Sequence, residues 1–290
     1  MRAWRKTTFQ DIWTGDKKGS QNTTYEDFAR EMDGEGGYGP NNAYQSKESF
    51  FKKHLKYRYI DWDNYLQSNC HKGDEILSIG SGRCINELRL LNEGYSLSCS
   101  DLGIPPHYDA SVHLFGPSPF FVLDISCQSP DKEYDSIFCL SILHYFNNDN
   151  LDKFFHNVRK GLKQGKYLYV DFGGAPDNIF TYLWDVWYLP IEHKIVSFIY
   201  KLIKKQRKIL VEHDHGFRHT NEEIIESARK SGFEFISLEE FSFLDEFRRS
   251  VLLRAIIERS SIVERILSIL GRRNPLIRMF KFKKTSNTSE

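Results

Sequence analysis

The stretch Gly73-Asp74-Glu75-Ile76-Leu77-Ser78-Ile79-Gly80-Ser81-Gly82-Arg83-Cys84 decides how the rest of the sequence is read. A short apolar run (75–79) ends in a turn carrying two glycines, and the amphipathic pattern of 86–93 predicts a helix after it. Glycines let a backbone bend tightly and allow a ligand to approach where a Cβ would stand in the way. The helix beyond the turn directs free amide groups at whatever lies above it, which favours a carboxylate or phosphate. Asp101 follows Gly82 at the end of the next apolar run, where an acid can accept hydrogen bonds from both hydroxyls of a ribose. Together these features point to a nucleoside-containing cofactor.

Outward from this turn, short apolar runs alternate with amphipathic stretches, the pattern of a parallel sheet covered by helices. Strands are expected at 75–79, 96–100, 120–123, 136–140, 167–172 and 233–241, with a final alternating run at 276–282. Helices are expected at 86–93 and at 150–163, the latter capped by Asn148-Asp149-Asn150 and closed by Lys163-Gln164-Gly165. Thr220 with Glu223 forms a capping box for another helix, and a basic amphipathic helix is expected over about 246–270. The fold class is therefore α/β, a Rossmann-like, seven-stranded, mostly parallel sheet with helices on both faces and a helical cap. Its divisions are an N-terminal helical region (1–72), a cofactor-binding core (73–175) and an aromatic-rich cap insertion (176–216). The rest of the core (217–284) carries a basic helical insertion (242–275), and 285–290 reads as a disordered tail.

Composition narrows the function classes. The 290 residues balance 40 Lys and Arg against 39 Asp and Glu, a formal net charge of +1, so no overall electrostatic case for nucleic acid exists. The opening residues lack an apolar run of signal-peptide length, and charged residues interrupt the most apolar stretch, 179–203, which argues against a membrane span. The five cysteines form no C-x-x-C pair and read as reduced thiols of a cytoplasmic protein.

A dinucleotide fingerprint would place glycine at position 85, which is Ile85. The pieces instead resemble the class I, Rossmann-like methyltransferases that use S-adenosyl-L-methionine (SAM), over about 73–241 and the final strand. The likeness rests on Lys72-Gly73-Asp74 before a strand ending Ile79-Gly80-Ser81-Gly82, on Asp101-Leu102 and Asp124-Ile125 ending the next two strands, and on Tyr134-Asp135-Ser136-Ile137-Phe138-Cys139-Leu140. Gly165-Lys166-Tyr167 and Ser231-Gly232-Phe233 complete it. The resemblance implies that Gly80, Ser81 and Gly82 lie against the methionine portion. Asp101 would take the ribose hydroxyls, Leu102 would pack on adenine, and Asp124 would accept the adenine amino group beside Ile125. Cys139 and Leu140 would line the floor near the sulfonium. Two positions depart from the pattern: Ser78 stands where the family often has an acid, and Cys84 where it has a third glycine.

Methyl transfer to an oxygen often needs a base. His144, just past the fourth strand, is the first candidate and Asp171, ending the fifth, the second; His144 also reads as a packing residue at a helix start. His213, Asp214, His215 and His219 cluster before the capped helix, but their spacing matches no established metal site, so no metal is expected.

Ligands of open α/β sheets lie beyond the carboxyl ends of the strands. Residues 1–60, 176–216 and 242–275 are expected to converge there as a lid. Trp184, Trp187, Tyr188 and Phe198 would suit sugar rings, aromatic rings or lipid chains, or form the lid's own core. The basic residues of the C-terminal helix fit a solvated face, a peripheral membrane contact or an anionic glycan intermediate. The expected activity is methylation of a hydroxyl on a small molecule or a glycan- or lipid-linked intermediate. A non-catalytic SAM-binding protein and an NAD-dependent nucleotide-sugar oxidoreductase are the alternatives.

Overall fold

Side chains alternate between two apolar layers along every central strand, and this alternation builds the molecule. Ile76, Phe138, Tyr169 and Met279 enter one buried cluster, while Leu77, Ile137, Leu168 and Phe280 enter the other. The computed structural model describes residues 2–3, 46–48, 58–82, 84–104, 114, 119–173, 179–188, 191–192, 194–196, 198–199, 217–241, 243–273 and 277–286.

The sheet strands are β1 (Glu75–Ile79), β2 (Ser96–Asp101), β3 (Phe120–Val122), β4 (Tyr134–Cys139), β5 (Leu162–Gly173), β6 (Phe233–Phe241) and β7 (Ile277–Lys284). Their spatial order is β3-β2-β1-β4-β5-β7-β6. Strands β1 to β5 pair in parallel, and β7 runs antiparallel between β5 and β6. The strand order reverses between β2, β1 and β4, and in open α/β sheets ligands lie beyond the carboxyl ends of the strands at such a reversal.

Helices cover both faces. Helix α1 (Arg58–Asn69) and α2 (Ile85–Asn92) give Trp62, Leu66 and Leu88 to the first cluster. On the other face, α3 (Asn148–Lys160) gives Phe154, Phe155 and Val158, and α5 (Asn221–Lys230) gives Ile224 and Ala228. Helix α4 (Ile179–Tyr182) runs into a π-helical turn, Leu183–Tyr188. Two short helices, α6 (Leu244–Arg249) and α7 (Val251–Ile257), and a longer one, α8 (Ser261–Arg273), lie between β6 and β7.

Rings stitch the two insertions together. Trp184 stacks on Tyr188 at 4.4 Å and meets Phe243 and Phe247 edge-on at 5.2 Å. The insertion after β5 and the one after β6 thus pack on each other. Residues 4–45 and 49–57, part of the expected lid, lie outside the described residues.

Several boundaries differ from expectation. Helix α3 is capped by Asn147, whose side chain accepts the Asn150 amide, and it ends at Gly161 rather than Gly165. Chain after 161 already belongs to β5, because Leu162 pairs with Tyr134, and Gly165 bends that strand at φ +74. The single basic helix over 246–270 is three helices. Ser250 starts a new one by accepting the Leu253 amide at 3.0 Å, and Ser260 takes the Val263 amide before the next.

Candidate functional site

The glycine turn is pinned to its neighbour strand. The amides of Gly80 and Ser81 both donate to the Ser100 carbonyl, at 2.8 and 2.9 Å. Gly80 adopts φ +73, and a Cβ there would overlap the Ile142 side chain, which closes over the turn from the end of β4. Only glycine meets both conditions.

Asp101 is brought to this turn from β2. Its Oδ2 accepts the Gly82 amide at 2.6 Å and its Oδ1 accepts the Leu102 amide at 2.7 Å. A half-buried carboxylate is thus held directly against the glycine turn. At the end of β3, Asp124 Oδ1 accepts the amide and hydroxyl of Ser126, at 3.0 and 2.6 Å, and Ile125 is buried beneath.

Cys84 carries the departure at the third glycine. It sits at φ 54, ψ 34, the left-handed region, as the residue before α2. A non-glycine residue there costs about 1 kcal/mol or more. Its side chain is buried, and contact with the Cys99 thiol followed by burial pushes its own thiol well above the ordinary range.

Ser78, the other departure, is also accounted for. Its hydroxyl donates to Glu87 Oε1 at 2.6 Å, and both residues are buried. Burial pushes Glu87 up to about 7, against the hydrogen bond from Ser78. Glu87 escaped the sequence reading because an acid in the first turn of a helix reads as a dipole partner facing water. The available signal was its spacing of three residues before the buried Leu90. Behind it, Asp63 of α1 accepts Asn86 and Arg89 at 2.8 and 2.9 Å, clamping α1 onto α2.

At the end of β4, Cys139 is completely buried in the second cluster, whereas Leu140 is half-buried and packs toward the first. Burial, then the charge of Asp171, holds the Cys139 thiol well above its ordinary range. Asp171 is only 2% exposed and accepts the amide of Ser141, a non-glycine residue at φ 58. His144 follows on a 3-10 turn, Leu143–Tyr145, half-exposed with its ring 4.0 Å from that of Tyr145.

Of the histidine cluster, His213 and His215 lie outside the described residues. His219 is fully buried, packs on Phe172, and its Nε2 lies 2.9 Å from the Phe146 carbonyl. It joins the end of β5 to the segment after β4. Burial holds it below the usual histidine range. Among the described residues no three His, Cys, Asp or Glu side chains gather as metal ligands.

No protein-family model and no curated protein sequence matches the chain. Solved structures do. A geranyl diphosphate C-methyltransferase from Streptomyces coelicolor A3(2), in complex with Mg2+, geranyl diphosphate and S-adenosyl-L-homocysteine, superposes with a TM-score of 0.52. It is 13% identical over 84% of this chain and 87% of its own. A cyclopropane synthase from Mycobacterium tuberculosis gives 0.52 at 16% identity, over 84% and 88%. The chain has the class I methyltransferase fold. Gly82 and Asp101 meet here at the point where the strand order reverses.

Proposed function

We propose that the chain is a SAM-dependent methyltransferase acting on a hydroxyl of a small molecule or of a glycan- or lipid-linked intermediate. The observation that carries this reading is the Gly82–Asp101 contact at the carboxyl ends of β1 and β2. An added Cβ at Gly82 would meet nothing nearer than 4.0 Å, so backbone there is open to close approach with a carboxylate beside it, the two things an adenosyl ribose needs. Gly80, Ser81 and Gly82 hold the methionine portion, Asp101 the ribose hydroxyls, Leu102 one adenine face, and Asp124 with Ile125 the adenine edge.

The buried Glu87 supplies, through Ser78, the carboxylate that the sequence lacks two residues before Gly80. When bound, SAM supplies an electrophilic methyl group on a sulfonium. Cys139 and Leu140 form the floor beneath it, Cys139 through its backbone because its side chain is enclosed. His144 takes the acceptor's proton as its oxygen bonds to the methyl carbon. Asp171 acts on that step indirectly, by fixing Ser141 and the segment carrying His144. The cap excludes water and orients the acceptor for in-line attack.

The test is incubation of the purified chain with methyl-labelled SAM and extracts fractionated by polarity. Label should pass to a hydroxyl-bearing compound that gains one CH2 in mass. Binding of SAM without transfer to any fraction would favour a non-catalytic SAM-binding protein.

A further inference from the structure

We propose that the cap docks on an anionic lipid bilayer through two helical faces that are apolar on the solvent side. Residues 191–192, 194–196 and 198–199 are helical, and their inner face is already used. Glu192 is buried and accepts the Ser250 hydroxyl at 2.7 Å and the Leu252 amide at 2.9 Å, with Val196 buried one turn on. The outer face carries Ile191, Ile195, Phe198 and Ile199, all exposed, Phe198 by 62%.

Helix α8 repeats the arrangement. Its Val263 and Leu267 pack on the first core cluster, while Ile262, Ile266, Ile269 and Leu270 face outward, Ile262 by 72%. Both outer sets run i, i+4, i+7, i+8, the spacing of one helical stripe. Trp187, 60% exposed on the π-helical turn, adds an aromatic anchor. Both elements rest on the same short helices: Glu192 reaches Ser250, and Arg248 pairs with Glu264 of α8 at 2.6 Å. Helices apolar on both inner and outer faces leave contiguous hydrocarbon in water unless something covers it.

Charge identifies the cover. Among the described residues, Lys194, Arg254, Arg259, Arg265 and Arg272 are exposed on or beside these helices against one exposed acid, Glu258, while Glu192 is enclosed and Glu264 is paired. The chain's total charge is only +1, so this is a local concentration of positive charge. Apolar side chains between Lys and Arg side chains match the acyl and headgroup layers of a negatively charged leaflet. No described helix is long and apolar enough to cross a membrane. Both insertions leave the sheet at its carboxyl edge, so an acceptor in the leaflet would enter from the docked side.

Docking is separable from methyl transfer, because it is read without SAM. The experiment sediments the full chain with phosphatidylcholine vesicles and with vesicles that also contain phosphatidylserine. The expected result is at least about tenfold more chain pelleting with the anionic vesicles, falling severalfold at high salt. The double substitution Phe198→Ser with Ile262→Ser should abolish pelleting while leaving the melting temperature unchanged. Equal pelleting of the double variant, or none of the wild type with anionic vesicles, overturns the proposal. So does a dimer in solution that these substitutions dissolve, since a second copy would then cover the stripes.

Discussion

The hydroxyl of Ser78 donates to Glu87 Oε1 at 2.6 Å, joining β1 to α2 two residues before the glycine turn. Burial raises Glu87 from 4.5 to about 7 and Asp63 from 3.8 to about 6. In this window the folded chain binds more protons than the unfolded one, so stability falls as pH rises from about 4.5 to 7 and the loss is complete above it. Glu87→Gln keeps an acceptor for Ser78 and removes the titration. Urea unfolding at about pH 5 and about pH 8 should show a wild-type loss on the order of 3 kcal/mol from this group, largely absent in the variant. A variant with the wild-type slope would place the effect elsewhere.

Gly80→Ala places a methyl group on Ile142 at a backbone angle that L-residues rarely adopt. Stability should fall by about 2–3 kcal/mol and SAM binding should be lost. The double variant Gly80→Ala, Ile142→Ala relieves only the overlap. It should recover less than the full loss, since the strain at φ +73 remains and Ile142 leaves a cavity. Thermal melts of the three proteins check this, and full recovery would mean the backbone angle costs nothing.

His144 and Asp171 should separate by readout. His144→Ala should lower kcat by about 100-fold or more while SAM affinity stays within about twofold. Asp171→Asn puts a weaker acceptor, or a donor, against the Ser141 amide, so it should cost about 1–3 kcal/mol of stability. Its kcat loss should be smaller than that of His144→Ala. A stable Asp171→Asn enzyme with the larger kcat loss would exchange the two roles.

Signals confined to a few residues were readable. The strand at 75–79 and the Thr220–Glu223 box appear as expected, because alternation and capping are encoded within one turn or run. The end of α3 is not legible locally, because both Gly161 and Gly165 can stop a helix and only the pairing of Leu162 with Tyr134 decides between them. The break at Ser250 was hidden by an apolar pattern that continues through it. In the site, Gly80 and Asp101 carried local motifs. Glu87 acts on a residue of another element, and Asp171 on a backbone amide 30 residues away. Side chains whose partners lie across the fold leave no periodic trace.

Trp184 is the cap's central ring, buried among Tyr188, Phe243 and Phe247. Trp184→Ala should cost about 3–5 kcal/mol in the cap. Because the glycine turn and Asp101 belong to the sheet, SAM affinity should change far less than turnover. Hydrogen exchange should show faster opening at 243–253 than at β1; uniform loosening would mean that cap and sheet unfold as one unit.

The central claim is that the turn at Gly80–Gly82 and the carboxylate of Asp101 hold an adenosyl group. Calorimetric titration of the wild type and Asp101→Ala with SAM, and of the wild type with NAD, tests it most directly. The account predicts saturable SAM binding, weakened at least about tenfold by the substitution, and no comparable binding of NAD. Unchanged SAM affinity in Asp101→Ala, or tighter binding of NAD than of SAM, would contradict it.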